Sequence, residues 1–320
     1  MEIRPLFPIH HLSSHNRNSD KTEKSKSWIK SAILEEELRP SIQLWFGEIA
    51  EDLQIKERLR LIRLLRKRSN RTSASLALAE RLELCEPGDR CLSGACPECG
   101  RLFQRWLVRR LGKLIENHID KPDHELVAIT IIPLELAVPP GRLNTVSLEN
   151  AQRRLKRALK KADIKVAFVG IDFSLDEDSE GAYSPFWSPH FYLITAVAKR
   201  RATTRILGKL FRKAPGIRKP VQTMPFDNST YRRSYAYKIK FERRIGFTTE
   251  RSDGRECRNT RPDKFRALER TELLTYLDKV GFSQRSIFLG IEPYVRDSKA
   301  RIRPIPSGRR GNRANRKNWR

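Results

Sequence analysis

The sequence predicts an α+β protein on three observations. Apolar residues recur at steps of three and four in several stretches longer than ten residues, the period of one helix face. Runs rich in Val, Ile and aromatic side chains, bounded by turn residues, read as strands. Up to residue 124 the pattern is helical or irregular, and from 125 onward strands and helices alternate as strand, helix, strand, strand, helix, strand.

Composition bounds what such a chain does. It has 320 residues, 38% hydrophobic and 32% charged, enough for one large core or two modest ones. The formal charge is +27 and the pI about 10.4, a cationic excess that disfavours compaction unless an anionic partner screens it. Nucleic acid leads by that argument, because neutralising many phosphates gives strong, salt-sensitive binding; an acidic membrane surface is the competitor. No apolar stretch approaches the roughly 20 residues that span a bilayer. The start, MEIRPLFPIHHLSSHNRNSDK, lacks the apolar segment of a signal peptide. The expectation is a cytoplasmic protein with no membrane partner, whose five cysteines are metal ligands or thiols and not disulfides.

Residues 1–24 are polar and read as a disordered start, although His10, His11 and His15 lie close enough together to suggest a metal. Residues 25–84 form a basic helical region. There Ile55, Leu59, Ile62 and Leu65 make one apolar face, and Arg58, Arg60, Arg63, Arg66, Lys67 and Arg68 populate the rest. That basic side is either solvated or follows a phosphate backbone. A break at 69–75 precedes a short helix at 76–84.

Residues 85–120 hold the densest chemistry. CEPGDRCLSGACPECGR places Cys85, Cys91, Cys96 and Cys99 within fifteen residues, the last two at C-x2-C spacing. At that spacing one tight turn presents two thiolates to one ion, and Gly100 follows where a knuckle needs a permissive backbone. The cluster points to structural Zn²⁺ with a full ligand set and no open position, against free thiols or a redox pair. A helix over 101–119 follows directly. Phe103, Leu107, Leu111 and Leu114 form its inner face, and Arg101, Arg105, Arg109, Arg110 and Lys113 lie elsewhere, where they can meet phosphates.

Residues 121–298 carry the predicted sheet. ELVAITIIP, 125–133, reads as a strand buried on both faces. A helix over 147–162 turns Leu148, Leu155 and Leu159 inward and Arg153, Arg154, Lys156, Arg157, Lys160 and Lys161 outward. The run 166–196 contains two strands, 166–175 and 191–197, with Asp172 on the first and His190 at the mouth of the second. A His and carboxylates converging on paired strands can hold a divalent metal; a surface His beside a solvated acidic turn is the plainer reading. A helix at 203–213 and a strand at 220–226 follow. The helix STYRRSYAYKIKF, 229–241, would set Tyr231 and Tyr235 one turn apart and Lys238 three residues beyond Tyr235. A tyrosine with a cation one turn away can attack a phosphodiester while the cation steadies the phosphate; the same rings can also simply pack on the sheet. Residues 243–260 read as a polar loop, 262–279 as a helix stopped by Gly281, and 287–291 as a last strand. The tail 299–320 has nine Lys or Arg, Arg309 and Arg310 among them, and no acid. It is expected to be disordered and to contact phosphates without sequence preference.

In their order these motifs resemble the HUH endonucleases, the replication initiators of rolling-circle plasmids and related transposases. The likeness runs from about Cys85 to Gly290: cysteines as C-x4-C-x2-C before a basic helix, a strand with ITII, a strand pair ending in W-x-P-H, then Y-x-x-K. It implies a central antiparallel sheet with helices on one face, of the RNA-recognition-like type, and nicking of single-stranded DNA or an origin hairpin. It also implies that residues 187–193 form the metal motif, with His190, Asp172 and Tyr192 around Mg²⁺ or Mn²⁺. Tyr235 would be the nucleophile that forms a 5′-phosphotyrosine link, Lys238 its Y-x-x-K partner, and Tyr231 the other candidate nucleophile. The family motif is His, a bulky apolar residue, His; this chain has His190-Phe191-Tyr192. A phenol with a pKa near 10 is a poor ligand for such ions, and Asp172 compensates in part. Three functions are therefore expected: a diverged DNA-nicking initiator, a zinc-stabilised DNA-binding protein on the same scaffold that does not cut, or an RNA-binding protein.

Overall fold

The structure, a computed structural model, describes residues 17–39, 51–119, 122–250, 252 and 254–305. Arg309 and Arg310, and the histidines at 10, 11 and 15, lie outside the described residues.

Helices lead, as the apolar spacing predicts: α1 Arg17–Glu37, α2 Glu51–Arg66, α3 Ser73–Glu83 and α4 Pro97–Leu114, the last continuing as a π turn over Ile115–Ile119. α3 opens on a reciprocal cap, in which Ser75 N donates to Thr72 Oγ1 (3.1 Å) and Thr72 N to Ser75 Oγ (2.8 Å). α4 starts four residues earlier than predicted. Pro97 suits a first helical turn, since it lacks only a donor that would have no partner there. The buried face of α2 also differs. Leu61, Ile62 and Leu65 are inside, whereas Ile55 and Leu59 are 39% and 49% exposed. Arg58, assigned to the solvated side, turns inward, its Nε 2.6 Å from Glu98 Oε1 and its Nη1 donating to Leu82 O at 2.7 Å. Spacing alone could not see that ion pair rotating the helix.

The sheet comprises β1 Glu125–Ile131, β2 Ala167–Asp178, β3 Phe186–Val197, β4 Val221–Pro225, β5 Glu242–Glu250, β6 Glu256–Asp263 and β7 Ser286–Leu289. Its order is β4-β1-β3-β2-β5-β6, with β7 also on β2. Between the strands run α5 Leu148–Lys161, α6 Arg200–Gly208, α7 Thr230–Tyr235 and α8 Ala267–Gln284, and a separate hairpin, β8 Ile291–Arg296 with β9 Lys299–Pro304, closes the described chain. The sheet is mixed, not wholly antiparallel, because β2 outruns its neighbours. Residues 167–170 take β7 antiparallel, and 174–178 take β5 parallel. Arg285 spans the gap, its backbone carbonyl accepting from Ile171 N at 2.9 Å.

Several boundaries shift. β2 and β3 are twelve residues each, so His190 stands mid-strand opposite Asp172, not at a strand mouth. The polar loop expected at 243–260 is the β5–β6 hairpin; its Arg and Thr side chains hide the alternation of a half-exposed strand pair. Only residues 230–235 of the helix expected at 229–241 are helical. Residues 299–304, assigned to a disordered tail, pair with β8, and Ala300 is fully buried.

Alternation sorts the side chains of β2 into two faces. Val169, Ile171, Phe173 and Leu175 form an apolar face on which α8 packs, Phe173 meeting Tyr276 edge-on at 5.6 Å. α5 and α6 adjoin α8 and β4 on that side, with Thr204 Oγ1 bonded to Thr223 Oγ1 at 2.8 Å. Gly170, Asp172, Ser174 and Asp176 form the other face with Ser188, His190 and Tyr192 of β3. Helices are not confined to the first face. α7 lies over Gly170, where a Cβ would fall 1.7 Å from Ala236 O. One hydrophobic cluster joins helices and sheet: Trp28 of α1 stacks 5.5 Å from Trp106 of α4 and 5.9 Å from Phe288 of β7. Among the described residues no helix is long and apolar enough to cross a membrane.

Gly170→Ala should cost about 2 kcal/mol or more in urea unfolding, because the Ala236 carbonyl must move off the sheet. A loss below about 0.5 kcal/mol would mean that this contact does not hold α7 in place.

Candidate functional site

The register Asp172↔His190 puts both side chains on the face that α7 partly covers. His190 Nε2 lies 3.2 Å from Asp172 Oδ2, and Lys238 Nζ lies 2.6 Å from the same oxygen. The other carboxylate oxygen, Oδ1, accepts from Phe173 N at 2.8 Å. His190 Nδ1 faces the Ser188 carbonyl at 3.0 Å, so Nδ1 carries a proton and Nε2 is the atom turned to the carboxylate.

Lys238 reaches Asp172 because α7 ends at Tyr235 and the chain turns through Ala236 and Tyr237 directly over Gly170. Two buried polar groups fix that turn. Gln104 Nε2, on α4, donates to Ser234 O (3.0 Å) and Tyr237 O (2.8 Å), tying the helix end to the turn that follows it. Arg285 Nη2 donates to Lys238 O at 2.7 Å. The Lys238 ammonium then sits 4.0 Å from the Tyr235 ring centroid. Tyr235 meets Tyr192 edge-on, centroids 4.9 Å apart.

Electrostatics follow from this packing. Burial alone would raise the Asp172 pKa, but Lys238, and then His190, outweigh it and hold the carboxyl below the ordinary range. Burial pulls the Lys238 pKa down, yet Asp172 and Tyr235 raise it on balance, so the pair is ionic. Four residues beyond Asp172 on β2, burial pushes the Asp176 carboxyl up against the opposing pull of Arg244. Burial also lifts the Tyr192 phenol above its usual value.

The structure thus brings together His190, Asp172, Tyr235 and Lys238. Tyr192 shares their face but lays its ring on Tyr235, and its raised pKa makes phenolate ligation harder. Tyr231 is 43% exposed one turn back from Tyr235. The predicted Mg²⁺ or Mn²⁺ set of His190, Asp172 and Tyr192 does not fit. The ammonium of Lys238 already occupies the carboxylate oxygen that an ion would need. Among the described residues, the one group of three or more His, Cys, Asp or Glu able to share an ion is the cysteine cluster.

There the four ligand atoms of Cys85, Cys91, Cys96 and Cys99 lie within 4.8 Å of one another and can hold a metal ion such as zinc. Cys96 caps α4 and Cys99 sits in its first turn, so the cluster grows out of the helix start. Arg90, next to Cys91 in the chain, pairs with Glu37 and with Glu98 (2.6 Å).

The arginines of α4 do not form an open basic face. Arg101 is 4% exposed. Arg109 pairs with Glu36 at 3.0 Å, Arg105 approaches it at 4.0 Å, and Arg110 pairs with Glu35 at 2.6 Å. Lys113 alone of that predicted set stays exposed among the described residues. The glutamates on α1 decide this, and α4's own spacing carries no sign of them. Gln104 and Arg285, unnoticed in the sequence, prove central to the turn; one polar residue inside the apolar stripe of α4 was the only available signal for Gln104.

Compared with known proteins, the chain matches no family model, no curated protein and no solved structure.

The Asp172–Lys238 pair has a pH signature. The Asp172 pKa is depressed below 3.8, so its stabilisation is present above that value and is lost as the pH falls below about 4. The Lys238 pKa is raised above 10.5, so its stabilisation is present below that value and is lost on the alkaline side. Asp172→Asn should flatten both limbs of the urea midpoint plotted against pH. An unchanged acid limb would mean that the pair does not form.

Proposed function

We propose that the chain is a diverged HUH-type initiator acting on single-stranded DNA, with Tyr235 as its nucleophile and a sheet of the RNA-recognition-like type as its platform. One observation carries this reading: residues 172, 190, 235 and 238, from two strands and a turn, converge on one carboxylate oxygen and one phenol. The Tyr235 oxygen attacks the phosphorus as the bond to the 3′ oxygen breaks; the phenolic proton passes to solvent water and the departing 3′ oxygen takes one up, giving a 5′-phosphotyrosine and a free 3′ hydroxyl. The protonated Lys238 stabilises the phenolate and the phosphate charge beside it, and Asp172 with His190 holds that ammonium in place. No divalent ion enters the step.

A second reading, binding without cutting, is favoured by the missing three-ligand metal set and by Tyr192 in place of an imidazole. The two separate on a denaturing gel with a 3′-labelled single-stranded oligonucleotide. Cleavage predicts a covalent adduct with Mn²⁺ and equally with EDTA, reduced at least about 100-fold in Tyr235→Phe. Salt-dependent binding with no adduct in either buffer selects the binding reading, and preference for RNA of the same sequence selects an RNA-binding protein.

The cysteine cluster fits structural zinc, one ion per chain with four sulfur ligands at about 2.3 Å by X-ray absorption. Cys85, Cys96 and Cys99 belong to the shared core, and α4 carries Gln104. Removing the metal should therefore expose backbone amides at 234–238 to hydrogen exchange along with those of 85–106. Exchange confined to 85–106 would mark the cluster as a separate module.

A further inference from the structure

We propose that the outward faces of α5 and α6 form a docking surface for duplex DNA, distinct from the Tyr235 cleft. Ser147 caps α5, and Leu148, Leu155 and Leu159 bury its inner face. Lys156, Arg157, Lys160 and Lys161 are exposed along the outer arc, and Glu149 in the first turn is the only acid of the helix. α6 buries Thr203 and Leu207 and exposes Arg201 and Arg205.

The two helices are neighbours. Arg154 of α5 bonds to Leu210 O at 3.2 Å, just past α6, and lies over the Phe211 ring at 5.5 Å. Both lie on the sheet face away from Asp172 and His190, as the Thr204–Thr223 contact fixes.

These six cations share two adjacent helices. Among the described residues none of them forms an ion pair. Arg154, by contrast, is taken up by Glu135 at 2.7 Å, and the α4 arginines by Glu35 and Glu36. Six like charges on two adjacent rigid helices repel one another, and an anion lattice relieves that repulsion.

The chemistry selects the occupant. Neither helix contains an aromatic residue, so no stacking platform for a single strand exists there. The apolar faces of both helices are buried in the core, Ile206 of α6 at 39% exposed excepted, and one such side chain makes no face to insert into a lipid surface. B-form duplex remains: its phosphates line a major groove wide enough to seat a helix, which the narrow groove of A-form RNA is not.

The experiment compares K156Q/R157Q/K160Q/K161Q with a control of equal charge loss on α2 and the turn after it, R60Q/R63Q/K67Q/R68Q. Both are made in full-length Tyr235→Phe protein, so cutting plays no part and the result does not depend on the nuclease reading. Fluorescence anisotropy between 50 and 200 mM salt follows a duplex DNA, a single strand, a duplex RNA and anionic vesicles. The α5 variant should lower the slope of log K against log salt for duplex DNA by about 3 to 4, near 0.9 per lost phosphate contact. Its single-strand affinity should change less than about twofold, and the control should leave the duplex slope unaltered. Equal losses in both variants, an unchanged duplex slope, or tighter capture of duplex RNA or vesicles would each overturn the proposal.

Discussion

The close approach of the Ala236 carbonyl to the backbone of Gly170 is the constraint on which the site depends. Any side chain at 170 would occupy that oxygen's place. Because β2 carries no Cβ there, α7 can end directly on the sheet, and the next residues pass over the polar face at its closest range. Tyr235 then falls beside Tyr192, and Lys238 falls on Asp172, two residue pairs further along the ladder. The turn is held from two sides. Gln104 reaches it from the helix that bears Cys96 and Cys99, and Arg285 reaches it from the seam between β7 and β5. Arg285 is 1% exposed and, among the described residues, has no carboxylate partner; its charge rests on two carbonyls and on the rings of Tyr237, Phe241 and Phe173. A caged cation of that kind tolerates little movement, since each contact is directional.

Much of the centre was legible in the sequence. Two β-rich runs flanking a polar turn gave the β2–β3 pair, and from it the proximity of Asp172 and His190. Four closely spaced cysteines gave their cluster. Tyr235 and Lys238 were also singled out, but for a geometry that does not exist: they are not one helical turn apart, because α7 stops at Tyr235. Their meeting depends on Gly170, which lies 65 positions before Tyr235 in the chain, and no local pattern reports such a contact. The errors on α2 and α4 share one cause. Periodicity counts an arginine as outward, yet Arg58, Arg109 and Arg110 each find a glutamate on another element and turn toward it.

That same pairing divides the positive charge of the molecule into two populations. Cations facing α1 are used internally, where partial burial strengthens each pair and leaves little field outside. Lys156, Arg157, Lys160 and Lys161 of α5 and Arg201 and Arg205 of α6 face solvent with no ion-pair partner among the described residues, so their field extends outward over a Debye length of about 10 Å. Net charge alone does not distinguish these cases, and the distribution of glutamates does.

The Lys238 ammonium and the phenol at 192 make best sense together. Under the HUH reading, a second imidazole at 192 and an ion on Asp172 would act as one unit. An ammonium 2.6 Å from Asp172 Oδ2 carries half the charge of a divalent ion and needs no ligand from position 192. That position is then released to pack, and its ring does so edge-on to Tyr235. A lone His restored at 192 would therefore lose the ring contact and gain no ion while Lys238 remains on the carboxylate. Only removal of the ammonium as well would reopen Asp172 Oδ2 and His190 Nε2, 3.2 Å apart, to a shared cation. Under the HUH reading, Lys238 on the carboxylate and a phenol at 192 are thus one coupled change in how the site holds positive charge.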